Sequence, residues 1–319
     1  MRAATKAAAT RLASTLAPQQ RRGLASGARN AREASGSSSS RGRTASLVSG
    51  AAVMATTAAW IEHSSAARTL ASAAMPTARA ITAEEPLKLY QYDVCPFCNK
   101  AQTFLEFHAI PHERIEVNPL TKAEIKFSSY RMVPFAMVGD TQINGSGEII
   151  KTMLGEDKPL SASEEKWFQW VDDHLVHVLP ANIYRSPGEA LQAFDYITNE
   201  SNFSAMQKLS IRYAGALAMF MIAKRSKKKY NLSDDPRQDL FEAVDKWAGE
   251  GLAGKRFHSG SDVPDTADLA VFGVLRSIEG NYGTWKDLSE KDLAHKDAFW
   301  TWYKSVKEQV ETNRAKIGL

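Results

Sequence analysis

The feature that most constrains the fold of this chain is a pair of cysteines placed between a predicted strand and a predicted helix. Residues 87–92 alternate in the way expected of a half-buried strand. The run Cys95-Pro96-Phe97-Cys98 follows, and apolar residues then recur at helical spacing. A strand that leads through two cysteines into a helix predicts an α/β unit with Cys95 at the start of the helix.

The position of Cys95 predicts a reactive thiolate. Unpaired backbone N–H groups and the positive end of the helix dipole stabilise a negative sulfur and lower its pKa. Pro96 suits the first helical turn because it has no N–H to leave unpaired. Cys98 lies one turn further on, close enough to resolve a mixed disulfide. We therefore interpret the pair as a nucleophilic or redox-active site.

Two other interpretations of the cysteine pair stay open at this stage. Cys95, Cys98, His108 and His112 have the order of a zinc site, although nine residues separate the second cysteine from the first histidine and zinc fingers usually have twelve. Zinc binding would also bend a segment that otherwise reads as one helix. The remaining alternative is a pair of inert, buried thiols. With two cysteines in 319 residues, a disulfide-stapled secreted scaffold is excluded.

The pattern after the first helix continues as a small α/β domain over residues 86–155. The predicted elements, in order, are a strand over 113–117, a helix over 122–130, a hairpin over 135–143 and a helix that begins near Ser146. Val133-Pro134 stands directly before the hairpin, where an X-Pro bond can be cis. The predicted order is therefore β-α-β-α-β-β-α.

Residues 156–319 predict a second domain that is all helical. Ser161 and Glu164 form a capping-box pattern at the start of a long helix, and Asp265 with Asp268 repeats that pattern. Further helical periods cover 205–223, 238–249, 269–278 and 294–310.

The first 44 residues differ in composition from the rest of the chain. They carry nine basic residues against one acid and no aromatic residue, which predicts a mitochondrial transit peptide; the alternative is a disordered basic tail. The whole chain has a net charge of +4, so the remainder carries −4. A mildly acidic body gives no charge basis for binding nucleic acid.

Residues 45–61 form an uncharged stretch that raises the question of membrane association. Seventeen weakly apolar residues are at the lower limit for crossing a hydrocarbon layer of roughly 30 Å. The stretch is therefore either a single anchor or a continuation of the targeting region, and residues 62–85 read as a linker. A charged fraction of 24% excludes a polytopic membrane protein.

Three motifs resemble the glutaredoxin and glutathione transferase form of the thioredoxin fold: the cysteine run after a strand, Val133-Pro134 before the hairpin, and Gly145-Ser146 at the next helix. Longer runs are similar to the membrane-associated prostaglandin E synthase 2 family, at 89–98, 117–119, 123–134, 170–177, 190–197 and 267–276. The resemblance covers roughly residues 87–310. It implies an α/β plus all-α protein, with a thioredoxin-like domain followed by a glutathione transferase-like helical domain.

The resemblance implies a glutathione site centred on Cys95. Val133 would offer backbone hydrogen bonds to the cysteinyl unit, with Pro134 fixing that backbone. Ser146, at a helix N-terminus, would bind the γ-glutamyl carboxylate. The family usually has an acid before this serine, and Gly145 replaces it here, which removes a side-chain partner for the amino group of glutathione. The alternative is that these residues only start a strand and cap a helix.

The reaction that the resemblance implies is the isomerisation of prostaglandin H2, a lipid endoperoxide, to prostaglandin E2. The Cys95 thiol would act on a peroxide oxygen, and Tyr92 would hydrogen-bond the thiolate or the substrate, or else only pack. Cys98 would be dispensable for isomerisation but required for dithiol redox chemistry. The alternatives are a glutaredoxin-like thiol-disulfide oxidoreductase, a glutathione transferase, and a non-enzymatic carrier of haem and glutathione.

Family resemblance also implies a homodimer and raises the question of haem, which family members bind together with glutathione. His174 and His177 lie on one helical face, and His177 is the candidate for that pocket. Arg225, in a basic run at a helix end, would approach acidic groups of the ligand. The alternatives are that His174 and His177 are ordinary helix histidines and that Arg225 belongs to a solvated helix end.

Overall fold

The computed structural model of the chain describes residues 81–82 and 85–319. The predicted transit peptide and the uncharged stretch over 45–61 lie outside this part. Within the described residues, no helix combines the length and the apolar character needed to cross a membrane.

A four-stranded mixed sheet forms the first part of the described chain, in the order β2-β1-β3-β4. Its strands are β1 (Leu87–Gln91), β2 (His112–Glu116), β3 (Phe135–Val138) and β4 (Thr141–Asn144). β1 is parallel to β2 and antiparallel to β3, and β3 is antiparallel to β4. β1 and β4 thus run in the same direction. The helices that follow them, α1 (Pro96–Phe107) and α2 (Ser146–Leu154), therefore begin at the same end of the sheet.

The predicted helix over 122–130 is wrong. A single 3-10 turn, Ala123–Ile125, is all the helix that forms there. The side chain of Asn118 accepts hydrogen bonds from the N–H groups of Leu120 and Thr121, and Glu124 accepts one from the N–H of Asn118. These side-chain bonds to the backbone fold the segment into turns, because they compete with the hydrogen bonds of a helix.

Helices make up the second part. They are α3 (Ala162–Trp170), α4 (Val176–Ile183), α5 (Pro187–Ala193), α6 (Ala205–Ser210), α7 (Ala216–Lys229), α8 (Pro236–Lys246), α9 (Thr266–Arg276), α10 (Tyr282–Glu290) and α11 (Lys296–Ala315). Short π-helical turns continue α3 into α4, α6 into α7, and α8 beyond its end. The capping boxes predicted at Ser161 and Asp265 are confirmed.

The sheet part and the helices share a core, because α1 packs directly on α9. Gly273 allows the close approach: a Cβ at this position would lie 2.8 Å from the carbonyl oxygen of Asn99 and 2.8 Å from the Cα of Lys100. Ten residues of α9 are buried, so it is a central element of the core. The start of α1, where the cysteines lie, is thereby fixed against the helical part.

Candidate active site

Cys95 is the N-cap residue of α1, as predicted, and Pro96 is the first residue of the helix. Cys95 is partly exposed. The neighbouring Cys98 thiol, helped by the backbone N–H groups of Cys98 and Phe97, lowers the pKa of Cys95 although burial acts in the opposite direction. A partly exposed thiol with a lowered pKa has the properties expected of a nucleophile.

The second cysteine has a different environment. Cys98 is fully buried, and its sulfur accepts a hydrogen bond from the backbone N–H of Tyr92 at 3.5 Å. Burial, and then the proximity of Cys95, raise the pKa of Cys98 well above its ordinary value. The site therefore pairs an accessible thiol that loses its proton readily with a buried thiol that keeps it.

The arrangement excludes a zinc site formed by the two cysteines and the two histidines. Cys95 and His108 lie at opposite ends of α1, and twelve helical residues span about 18 Å. His112 is buried in β2. Among residues 81–82 and 85–319, no three histidine, cysteine or acidic side chains are placed to hold a metal ion.

Three tyrosines lie near the thiols, and only Tyr92 was predicted from the sequence. Burial is the main cause that raises the pKa of Tyr92, Tyr130 and Tyr184, and the cysteines raise it further. The Tyr130 hydroxyl also lies 4.0 Å from where a Cβ of Gly145 would be, so it is close to the start of α2. All three phenols are neutral at physiological pH and can donate a proton or a hydrogen bond.

The backbone before β3 lies open to a ligand. The peptide bond between Val133 and Pro134 is cis. Among the described residues, the backbone N–H and C=O of Val133 have no hydrogen-bond partner. The carbonyl of Pro134 accepts a hydrogen bond of 2.9 Å from the N–H of Gly145, which joins this segment to the start of α2.

Gly145 and Ser146 begin α2. Gly145 has φ +83° and ψ 150°, a conformation that is essentially restricted to glycine, so its lack of a side chain has a structural reason. Ser146 is the first helical residue and is 4% exposed, and its hydroxyl makes no hydrogen bond to a described residue. The free N–H groups of this first turn can bind a carboxylate.

Sequence comparison identifies the family. Residues 89–161 match the model of the glutathione S-transferase N-terminal domain. The chain is 36% identical to prostaglandin E synthase 2 of Mus musculus, over 97% of this chain and 92% of the relative. It is 38% identical to prostaglandin E synthase 2 of Danio rerio, over 70% of this chain and 71% of the relative. The chain belongs to the prostaglandin E synthase 2 family.

Membership of the prostaglandin E synthase 2 family confirms the predicted class, an isomerase-type enzyme with a thioredoxin-like domain and a transferase-like helical domain. Among solved structures, the chain is similar to glutaredoxin 2 of Salmonella typhimurium in complex with glutathione, with 17% identity, a TM-score of 0.39, and coverage of 74% of this chain and 100% of that one. The chain is also similar to glutathione S-transferase III in apo form, with 16% identity and a TM-score of 0.44. This match covers 73% of this chain and 98% of that one. Neither structural likeness bears on the function.

His177, the haem candidate in this member of the prostaglandin E synthase 2 family, packs against an aromatic ring. The His177 ring stacks on Tyr230 with 3.6 Å between ring centroids, which leaves no gap for a porphyrin on that face. Burial lowers the pKa of His177 to about 4, so it is neutral. His174 and Arg225 are exposed. The described side chains therefore do not fit a haem pocket.

The buried carboxyl group of Glu116, which no sequence motif indicated, lies near Cys98. Glu116 accepts a hydrogen bond of 2.9 Å from the Tyr196 hydroxyl and one of 3.2 Å from the N–H of Asp93. It is 5% exposed, and burial raises its pKa to about 8. Asp93 and Tyr196 also line a polar cleft of about 470 Å³ between the sheet part and the helices.

Proposed function

We propose that this chain isomerises prostaglandin H2 to prostaglandin E2 at a glutathione-binding site centred on Cys95. The observation that carries the proposal is the partly exposed Cys95 thiol of lowered pKa at the N-terminus of α1, in a chain of this family. A sulfur nucleophile whose pKa is lowered suits a reaction that begins at a weak O–O bond.

Two features support glutathione as the ligand. The backbone N–H and C=O of Val133, which have no partner among the described residues, are free to bind the cysteinyl unit of a peptide. The first turn of α2, with the unpartnered Ser146 hydroxyl, offers N–H donors for a terminal carboxylate. Both lie at the end of the sheet where α1 begins, so a tripeptide that spans them would bring its own thiol to Cys95.

The isomerisation needs no external oxidant or reductant. The Cys95 thiolate attacks the peroxide oxygen on the carbon that becomes the ketone, so that an S–O bond forms and the O–O bond breaks. The other oxygen leaves as an alkoxide and takes a proton, for which the neutral phenol of Tyr130 or Tyr92 is the donor. The phenolate that this leaves then takes the C–H proton, so that the C=O bond forms, the S–O bond breaks and the Cys95 thiolate is released.

The test compares two cysteine variants of the full chain. Prostaglandin E2 formation from prostaglandin H2 is measured against the spontaneous rate, with reduction of a glutathione mixed disulfide measured in parallel. We expect Cys95→Ser to lower isomerisation at least a hundredfold. Cys98→Ser should lower it less than tenfold, because the serine hydroxyl can still donate a hydrogen bond to the Cys95 sulfur. Equal loss in both variants, or no prostaglandin E2 from the wild-type chain, would contradict the single-thiol isomerase.

A thiol-disulfide oxidoreductase is the second candidate, and the buried Cys98 beside Cys95 favours it. A proton-bearing thiol next to a nucleophilic one is the arrangement that resolves a mixed disulfide. In the parallel assay, this function predicts disulfide reduction that requires both cysteines. Conjugation of glutathione, by contrast, would not need Cys98.

The cellular setting stays a proposal that rests on the leader composition and on the resemblance. We propose mitochondrial targeting, with residues 45–61 as a membrane association segment, and a homodimer. Mass spectrometry of the mature N-terminus from purified mitochondria would show whether these residues are kept. Haem, which only the resemblance implies, is not part of the proposal, because the stacking of His177 on Tyr230 does not fit a porphyrin.

A further inference from the structure

A serine, a histidine and an aspartate form a hydrogen-bonded chain that has no part in the proposed glutathione site. Oγ of Ser163 lies 2.8 Å from Nε2 of His258, and Nδ1 of the same ring lies 2.6 Å from Oδ2 of Asp265. Ser163 is in the first turn of α3, Asp265 is the N-cap residue of α9, and His258 lies in the loop that precedes α9. Both distances are those of hydrogen bonds, so the three side chains are linked in sequence.

The chemistry of the three groups sets the direction of these hydrogen bonds. The Asp265 carboxylate only accepts, so Nδ1 of His258 carries a proton and donates to it. In a neutral imidazole the other nitrogen, Nε2, is then an acceptor, and the Ser163 hydroxyl donates to it. The hydrogen bond with Asp265 also raises the pKa of His258, although burial acts in the opposite direction. The ring is therefore oriented to take the proton of the serine hydroxyl.

Backbone and capping contacts fix the position of the histidine and its carboxylate. The N–H of His258 donates to both carboxylate oxygens of Asp268, at 3.1 and 3.2 Å, and His258 is 5% exposed. Oδ1 of Asp265 accepts hydrogen bonds from the N–H groups of Ala267 and Asp268, which leaves Oδ2 for the imidazole. The base and its carboxylate are thus held in place before any ligand binds, as a catalytic group must be.

The serine end of the hydrogen-bonded chain is open to a ligand. Ser163 is exposed, and together with His258 and Lys255 it lines a pocket of about 300 Å³. The first N–H groups of a helix have no partner within the helix, and those of Ala162 and Ser163 have none elsewhere among the described residues. These donors, at the positive end of α3, are placed to stabilise an oxyanion that forms beside the Ser163 hydroxyl.

We propose that Ser163, His258 and Asp265 form a second catalytic site, which hydrolyses carboxylic esters with a short acyl group. Oγ of Ser163 attacks the carbonyl carbon while Nε2 of His258 takes the hydroxyl proton. The bond between the carbonyl carbon and the alcohol oxygen then breaks, and the alcohol leaves with that proton. Water attacks the acyl-serine by the same route, which releases the acid and restores the hydroxyl. A pocket of this size, lined by polar side chains, does not suit a long alkyl chain, so its substrate differs from the lipid of the cysteine site.

The test uses the full chain with Cys95→Ser, so that the thiol of the other site does not react with the ester. Hydrolysis of 4-nitrophenyl acetate is measured, together with covalent labelling by a fluorophosphonate that is located by peptide mass spectrometry. The variants are Ser163→Ala and Asp265→Asn. Asparagine still caps α9 through its oxygen, but its NH2 group donates to Nδ1 of the histidine and leaves the ring proton on Nε2, the wrong tautomer. The control is Ser289→Ala, because Ser289 is an exposed helical serine whose hydroxyl donates to a backbone carbonyl.

We expect the fluorophosphonate to label Ser163 and Ser163→Ala to lower ester hydrolysis at least a hundredfold. Asp265→Asn should lower both hydrolysis and labelling at least tenfold, and Ser289→Ala should leave both within twofold. Hydrolysis that Ser163→Ala retains would show that the hydrogen-bonded chain only links α3 to the loop before α9, and so would a label on other residues with Ser163 unmodified. A chain that neither hydrolyses the ester nor takes the label would overturn the proposal as well. None of these outcomes affects the function proposed for Cys95.

Discussion

The reactivity of Cys95 depends first on its neighbour Cys98. The Cys98 thiol is the largest of the influences that lower the pKa of Cys95, ahead of the backbone N–H groups at the helix end. Sequence spacing alone predicted that the N-terminus of the helix lowers the pKa of Cys95, because this effect is a local property of α1. The effect of one sulfur on the other depends on burial, which the spacing does not specify.

Replacement of Cys98 should therefore change the titration of Cys95. In Cys98→Ala, the pKa of Cys95 rises towards its ordinary value, because the contact that stabilises the thiolate is lost. The measurement is the rate of iodoacetamide labelling against pH, followed by mass spectrometry. In Cys95→Ala, as the control, the fully buried Cys98 should label at least tenfold more slowly. An unchanged midpoint for Cys95 in Cys98→Ala would contradict this account.

Glu116 should make the folded chain less stable as the pH rises. Burial raises its pKa from 4.5 to about 8 in the folded chain. Between these two pH values the folded state holds a proton that the unfolded state has lost. The contribution of Glu116 to the free energy of unfolding is therefore complete below pH 4.5 and declines as the pH rises to about 8. Each pKa unit corresponds to about 1.4 kcal/mol, so the loss is on the order of a few kcal/mol.

The variant Glu116→Gln should flatten this pH dependence, because the amide keeps the shape and does not ionise. The free energy of unfolding is measured by urea denaturation at pH 5 and pH 8 for both chains. Glu113→Gln, on the exposed face of the same strand, is the control and should behave like the wild-type chain. If the free energy of unfolding changes by the same amount between pH 5 and pH 8 in Glu116→Gln as in the wild-type chain, Glu116 is not the buried acid responsible.

At the scale of the element, α1 and α9 depend on a single glycine at their contact. Gly273→Ala would place a Cβ 2.8 Å from backbone atoms of α1, which cannot move aside as a flexible side chain can. We expect a loss of about 2 kcal/mol in the free energy of unfolding, measured by chemical denaturation. Gly280→Ala is the control, because a Cβ there has no neighbour within 4 Å. Equal stabilities of the two variants would disprove the close contact.

Elements with strong local signals could be predicted from the sequence, and the others could not. The strand before Cys95 and the capping boxes at Ser161 and Asp265 have their signals within a few residues. The short helices α5 and α10 have little periodicity to detect. The helix prediction over 122–130 was wrong because the side chain of Asn118, outside the helical pattern, accepts hydrogen bonds from the backbone of the following turn.

At the scale of the whole molecule, several site residues come together only through the fold. Ser163 and His258 are 95 residues apart, and Glu116 and Tyr196 are 80 apart. No spacing rule relates residues at such separations in the sequence, so the cysteines could be found from the sequence, whereas Glu116 and Tyr130 could not. The glycine at 145 was noted as a departure from the family pattern, and its backbone conformation supplies the reason.

The contact between α1 and the helical part also determines whether the cysteine site can exist in a sheet part without the helices. Two fully buried charges of α1, Lys100 and Glu106, find their counter-charges in Asp172 and Arg276, both contributed by the helical part. A sheet part taken alone would lose both partners and uncover a helix whose polar side chains are buried. The sheet part with its cysteines therefore depends on the helical part, and a gene rearrangement that moves the cysteine site to another protein must move the helices as well.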